Sequence, residues 1–147
     1  MRAKESLLVL NNFSILESEC SIIPWAKDSN HVGSLNHPVD IDFKILTNKE
    51  NKNKHIIITT VELNSDKEPG YYARVKGVGE FVISDSSTSE KVKNQLILFS
   101  GVSICITNIR SYIANITSYY PLGKYNFSTI DINDLVNQKM KQNAEKG

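Results

Sequence analysis

Two aspartates in "VDIDFKIL", Asp40 and Asp42, stand two residues apart. In an extended chain that spacing puts both carboxylates on one side, and paired carboxylates can divide acid and base work between them. A wet strand face with alternating charge explains the same pattern, and no third group joins the pair. Three histidines, His31, His37 and His55, and two cysteines, Cys20 and Cys105, are scattered along the chain. No two of them have the spacing of metal ligands. The run "KGVGEF" contains Gly77 and Gly79 but is not GxGxxG. It sits inside a strand pattern, where such glycines mark a bulge or a close backbone approach. No phosphate loop, GxSxG or HExxH occurs. The residues assemble no catalytic constellation, no metal site and no cofactor site. A small enzyme built on Asp40 and Asp42 would need a closed pocket around them.

What stands out instead is apolar surface. "SYYPLGKYNFSTI" carries Tyr120, Leu122, Tyr125 and Phe127 after Tyr119 and before a C-terminal tail, with no helical period. Ile23 and Trp25 sit in or next to the long connection "PWAKDSNHVGSLNHP", Pro24 to Pro38. Long ordered connections in small domains tend to bind or cover something.

The elements that must hold these residues fit one domain, residues 1–147. Apolar residues make up 40% and charged residues 22%, a globular balance. The net charge of +1 gives no electrostatic footprint for nucleic acid or a membrane surface. "SLLVL" is too short for a signal peptide core, and no apolar run approaches the roughly 20 residues of a membrane span. The expectation is a cytoplasmic protein with two buried, reduced thiols.

Ser6 to about Ile23 reads as a first strand, with a break in alternation at Asn11 and Asn12 that implies a bulge. "VDIDFKIL" alternates Val39, Ile41, Phe43 and Ile45 with polar residues and is a second strand. "HIIITTVELN" and "YYARVKGVGEFVI" follow after polar turns, the latter marked by Pro69-Gly70. These short turns make Val39 to Ile83 an antiparallel meander. The period then changes. Ser86, Ser87, Thr88 and Ser89 are N-cap candidates for a short helix ending near Gly101. A longer helix carries Val102, Cys105, Ile106, Ile109, Tyr112, Ile113, Ile116, Tyr119 and Tyr120 in one stripe, with a small, polar face opposite. Pro121 ends it, and Asp131 caps a last helix through Ile132, Leu135, Val136 and Met140. The fold class is α+β: a four-stranded antiparallel sheet packed by a long helix and a C-terminal helix.

This order of elements resembles the SecB export chaperone family. The resemblance runs from about Pro38 to Met140. It is carried by Gly79-Glu80-Phe81, Leu98-Phe99, Arg110, Ile113, Pro121-Leu122 and Ile130-Asp131-Ile132, and by "HPVDIDFKI" at the second strand. The resemblance implies a dimer whose first strands pair, and a homotetramer of two such dimers joined through the long helices. It implies ATP-independent holding of unfolded or extended polypeptides, for export or as a dedicated chaperone of an unstable antitoxin. Its polypeptide-binding residues would be Ile23, Trp25, Tyr120, Leu122, Tyr125 and Phe127. The sequence departs from the family in charge. Typical members are acidic and dock the SecA motor, whereas this chain has Arg74, Lys76 and a basic tail. Like charges at a docking face disfavour SecA as a partner. The rival reading is a non-catalytic oligomeric assembly module that binds one folded partner.

Overall fold

A computed structural model describes residues 1–27 and 36–147. His31 and the middle of the Pro24–Pro38 connection lie outside the described residues. Four strands, β1 (Leu8–Ile23), β2 (Val39–Thr47), β3 (Lys54–Leu63) and β4 (Gly70–Ile83), are followed by helical elements. These are α1 (Glu90–Gln95), a π-helical turn (Leu96–Gly101), α2 (Val102–Thr117) and α3 (Ile132–Lys146). The sheet is antiparallel in the order β1-β4-β3-β2. β2, β3 and β4 are the expected meander, and β1 returns to pair with β4.

β1 is 16 residues long and keeps its apolar side inward only because its register slips. Leu8 and Leu10 face the helices. Without an extra residue, period-2 alternation would next turn Asn12 and Ser14 inward. The shift between Leu10 and Asn12 instead places Phe13 and Ile15 against the core. A second shift, between Ile15 and Glu17, leaves Leu16 exposed and was not anticipated.

The helix does not end near Gly101, contrary to expectation. Residues Glu90–Thr117 form one helical run of 28 residues. Gly101 has φ −62°, an ordinary helical value, so it breaks nothing. A Cβ there would fall 2.6 Å from Ile57 Cδ1, and the glycine lets the helix seat directly on β3. By length and composition this run is long and apolar enough to cross a bilayer, contrary to the expectation that no stretch approaches a span. In this fold it is the core helix: Val102, Cys105, Ile106, Ile109 and Ile113 are buried against Ile57, Val61, Tyr71, Val75 and Phe81. Burying each large apolar side chain contributes about 1.5–3 kcal/mol.

α3 begins where Asp131 accepts the Asp134 N–H at 3.1 Å. It is lightly held. Val136 is buried and Ile132 and Leu135 are half-buried, but Met140 is exposed. The expected apolar stripe is therefore cut short.

The β3–β4 turn depends on a residue that the turn chemistry of Pro69-Gly70 did not single out. Asn64 is 1% exposed with φ 61°. Its Nδ2 donates to the carbonyls of Glu68 (2.8 Å) and Tyr71 (2.7 Å), and its Oδ1 accepts the Glu68 N–H (3.0 Å). Its own N–H donates to the Pro38 carbonyl at 2.9 Å, tying the turn to the start of β2. Asn64→Ala removes the side-chain bonds and adds left-handed strain. It should cost about 2–4 kcal/mol in urea unfolding. Asn64→Gly, which tolerates positive φ, should cost less.

Candidate polypeptide-binding surface

The strand register gathers one end of each of the four strands at the same end of the sheet. Ile23 pairs with Gly70, Val39 with Leu63, and Leu63 with Ala73. Residues 118–130 cross this end, pinned from below. The Tyr71 hydroxyl donates to the Gly123 carbonyl at 2.5 Å. Gly123 has φ +83°, a conformation that favours glycine. Thr117 Oγ1 accepts the Tyr125 N–H at 2.9 Å and donates to the Ile113 carbonyl at 2.7 Å. Arg110 Nε donates to the Phe127 carbonyl at 2.7 Å, and its guanidinium lies 6.0 Å from the Phe127 ring centre. Tyr120 donates its hydroxyl proton to the Cys20 carbonyl at 3.0 Å.

These anchors form a run of rings. Tyr71 meets Tyr120 and Tyr125 edge-on, with centroids 6.1 and 5.8 Å apart. Tyr125 stacks on His37 at 6.3 Å, and its hydroxyl accepts the His37 N–H at 3.1 Å. Edge-on and offset arrangements suit the quadrupoles of aromatic rings.

Of the six residues expected at the surface, two are not there. Tyr125 is 7% exposed and Phe127 1% exposed, both in the core. The segment is extended, so alternate residues turn inward while Lys124, Asn126 and Ser128 face out. Tyr125 and Phe127 are the floor. Ile23, Trp25, Tyr120 and Leu122 remain half-buried; Tyr120 and Leu122 pack against the core, whereas at the end of β1 it is Ile22, not Ile23, that faces it. Tyr119 is the most open aromatic here, at 84%. Its place at the end of a 3.6-residue period disguised that exposure.

β2 is an edge strand, and its outer side pairs with no strand among the described residues. Two open troughs run beside it under α3. One, of about 450 Å³, is lined by Phe43, Ile45, Leu98, Val136 and Met140. The other, of about 420 Å³, has Val39, Ile41, Ile130 and Leu135 with Asp40, Asp131 and Asp134. Sequence periodicity showed β2 half-buried but not that its neighbour would be a lightly packed helix. Lys139 reaches from α3 to Asp42 at 2.5 Å and lies over the Phe43 ring at 5.8 Å. Asp42 is largely exposed, so this pair contributes at most about 1 kcal/mol.

Asp40 accepts a hydrogen bond from Ser65 Oγ at 2.8 Å, while Asp42 pairs with Lys139. The two carboxylates thus have structural partners and line different open troughs. Among the described residues no group of three His, Cys, Asp or Glu could hold a metal. Burial pushes the Cys105 thiol up to about 11, with the Thr59 hydroxyl acting weakly in the other direction. Burial also raises Cys20, opposed by Tyr120. Both are poor nucleophiles. Cys20 is half-buried rather than fully buried as expected. On the outer sheet face Arg74 contacts Glu17 at 3.2 Å and Glu62 at 3.8 Å, and Lys76 lies 3.9 Å from Glu17. The two bases noted in the sequence are matched by acids on their own sheet, so the face is mixed rather than basic.

Among the described residues two buried polar atoms near this end find no hydrogen-bond partner, Trp25 Nε1 and His37 Nε2. Leaving such a group unpaired costs about 1–3 kcal/mol. Burial lowers the His37 pKa below its ordinary value, with Glu68 pulling the other way, which favours the neutral ring at pH 7.

No family model matches the chain, and no curated protein sequence matches it. Its backbone is similar to that of a SecB-like chaperone of Mycobacterium tuberculosis, solved in complex with a ChAD peptide from the HigA1 antitoxin. The TM-score is 0.58 and the identity 12%, over 84% of this chain and 91% of that one. A Streptococcus agalactiae protein of unknown function aligns with a TM-score of 0.38 and 9% identity, over 84% of this chain and 96% of that one. A four-stranded antiparallel sheet, a long core helix and a C-terminal helix define this chain as a SecB-like fold.

Proposed function

We propose that the chain is an ATP-independent holdase that binds extended polypeptide segments. One observation carries this reading: the half-open side chains of Tyr120 and Leu122 pack against an aromatic floor at the end of a sheet with an unpaired edge, with Ile23 and Trp25 half-buried at the end of β1. Apolar side chains supply adhesion that does not depend on client sequence, and a free strand edge supplies main-chain partners to an extended chain. Tyr and Trp tolerate both water and client, because each joins an apolar ring to a polar edge.

The antitoxin form of this function draws support from the mycobacterial structure, whose chaperone is bound to an antitoxin peptide. Export clients fit the same surface. The working particle in this proposal is a cytoplasmic homotetramer. β1, the other sheet edge, pairs with its copy, and the small polar face of α2 (Ser103, Thr107, Ser111) packs against another dimer. SecA is the weaker partner, because the outer face lacks a uniform acidic field.

The test is suppression of aggregation by a denatured model protein, with Trp25 fluorescence followed against several unrelated apolar peptides. Suppression near one client chain per particle, with a fluorescence response to most peptides, is the expected result. A response to none of them, with no suppression, rejects the holdase and leaves a module for one folded partner.

A further inference from the structure

Among the described residues five cations are buried or half-buried: Arg74, Lys76, Lys93, Arg110 and Lys139. Four of them are paired. Arg74 and Lys76 meet Glu17, Lys93 meets Glu90 and Lys139 meets Asp42. Arg110 alone has no carboxylate beside it among the described residues. Its own helix cannot supply one, because α2 contains no Asp or Glu.

Arg110 is nonetheless held in place. Its Nε donates to the Phe127 carbonyl at 2.7 Å, and its guanidinium lies 6.0 Å from the Phe127 ring centre. The two terminal NH2 groups have no acceptor among the described residues. Between α2 and the segment that follows Phe127, Arg110 lines a pocket of about 60 Å³ with Ser103, Thr107, Ser128 and Thr129. None of these four hydroxyls is hydrogen-bonded within the described residues. Sites for whole small molecules run to about 300 Å³ or more, so this one suits a single small group. A guanidinium fork donates to two oxygens at once, and hydroxyl protons rotate to meet an acceptor. An oxyanion is the group that accepts from both.

We propose that the Arg110 pocket holds an oxyanion, a carboxylate or phosphate group, bonded by the free end of the guanidinium and flanked by the Thr107 and Ser128 hydroxyls. The site does not depend on the holdase reading. It does bear on assembly. Two α2 faces brought together carry Arg110 charges and no acid of their own, and a bound oxyanion offsets the charge that such an interface encloses.

The experiment titrates the full chain with inorganic phosphate against chloride at matched ionic strength, reading the melting temperature and the mass in solution. Phosphate should raise the melting temperature above the chloride series, with the logarithmic dependence of a bound ligand. Arg110→Lys keeps the charge and loses the fork. Thr107→Val with Ser128→Ala keeps Arg110 and alters only exposed side chains. Each should raise the phosphate concentration at which the effect sets in by about tenfold. A mass that holds or grows with phosphate identifies a free oxyanion as the occupant. A mass that falls with phosphate, and in Arg110→Lys without it, identifies a carboxylate of a second copy, displaced by competition. The inference is overturned if phosphate and chloride act alike on melt and mass, or if both variants respond as the unaltered chain does. A phosphate response without any suppression of aggregation would reject the holdase and keep this site.

Discussion

Phe127→Ala should lower the free energy of unfolding by about 3–5 kcal/mol, the largest loss expected from any single truncation in the segment between α2 and α3. Phe127 is 1% exposed and belongs to the central cluster. Its carbonyl is held by Arg110, and the guanidinium lies over its ring. Truncation leaves a cavity that the surroundings can close only in part, because Arg110 and the backbone of α2 fix one wall. A domain of this size has a total stability of about 5–15 kcal/mol, so the loss is a large share of the whole. Urea unfolding followed by circular dichroism measures it, and Phe127→Leu should lose much less. A loss below about 1 kcal/mol for the alanine variant would show that residues 118–130 lie outside the cooperative core. The aromatic floor would then not be rigid.

The second large effect is functional. Trp25→Ala combined with Leu122→Asp should abolish suppression of aggregation, or raise the chaperone needed at least about tenfold, a change of about 1.4 kcal/mol in client binding. Both residues are half-buried rather than packed into the core. Stability should therefore fall by only about 1–2 kcal/mol. The aspartate sets a charge where clients present apolar side chains, and burying an unpaired carboxylate is costly. Light scattering from the model client and a thermal melt of the variant are read together. Full suppression with an unchanged melt would remove these residues from the binding surface and leave the β2 troughs to act alone.

The two predictions divide the segment that stood out first in the sequence. Its residue types were readable: four large apolar side chains around a proline and a glycine, with no helical period. Which of them face out was not. Tyr120 and Leu122 stay half-open, while Tyr125 and Phe127 turn down, because Tyr71, Thr117 and Arg110 catch the backbone at Gly123, Tyr125 and Phe127. Those partners come from β4 and α2, outside the segment itself, and no local period announces them. Asn64 was missed for a related reason. Its position in a polar turn was plain, but its burial follows from Pro38 and Tyr71 closing over it.

The sequence by itself determined the four strands, the meander, the Asp131 cap and the apolar stripe of α2. Each follows from short-range steric and hydrogen-bonding rules that repeat every two or 3.6 residues. It also set the resemblance to a SecB-like arrangement, which the backbone bears out as a fold. The tertiary structure alone decided that the helix runs unbroken through Gly101, because the space beside Ile57 sets that outcome and no breaker acts there. It alone decided which rings are floor and which are rim, and that among the described residues Trp25 Nε1 and His37 Nε2 find no partner. Burial and hydrogen-bond satisfaction are properties of the assembled neighbourhood, and residues far apart in the chain supply most of it.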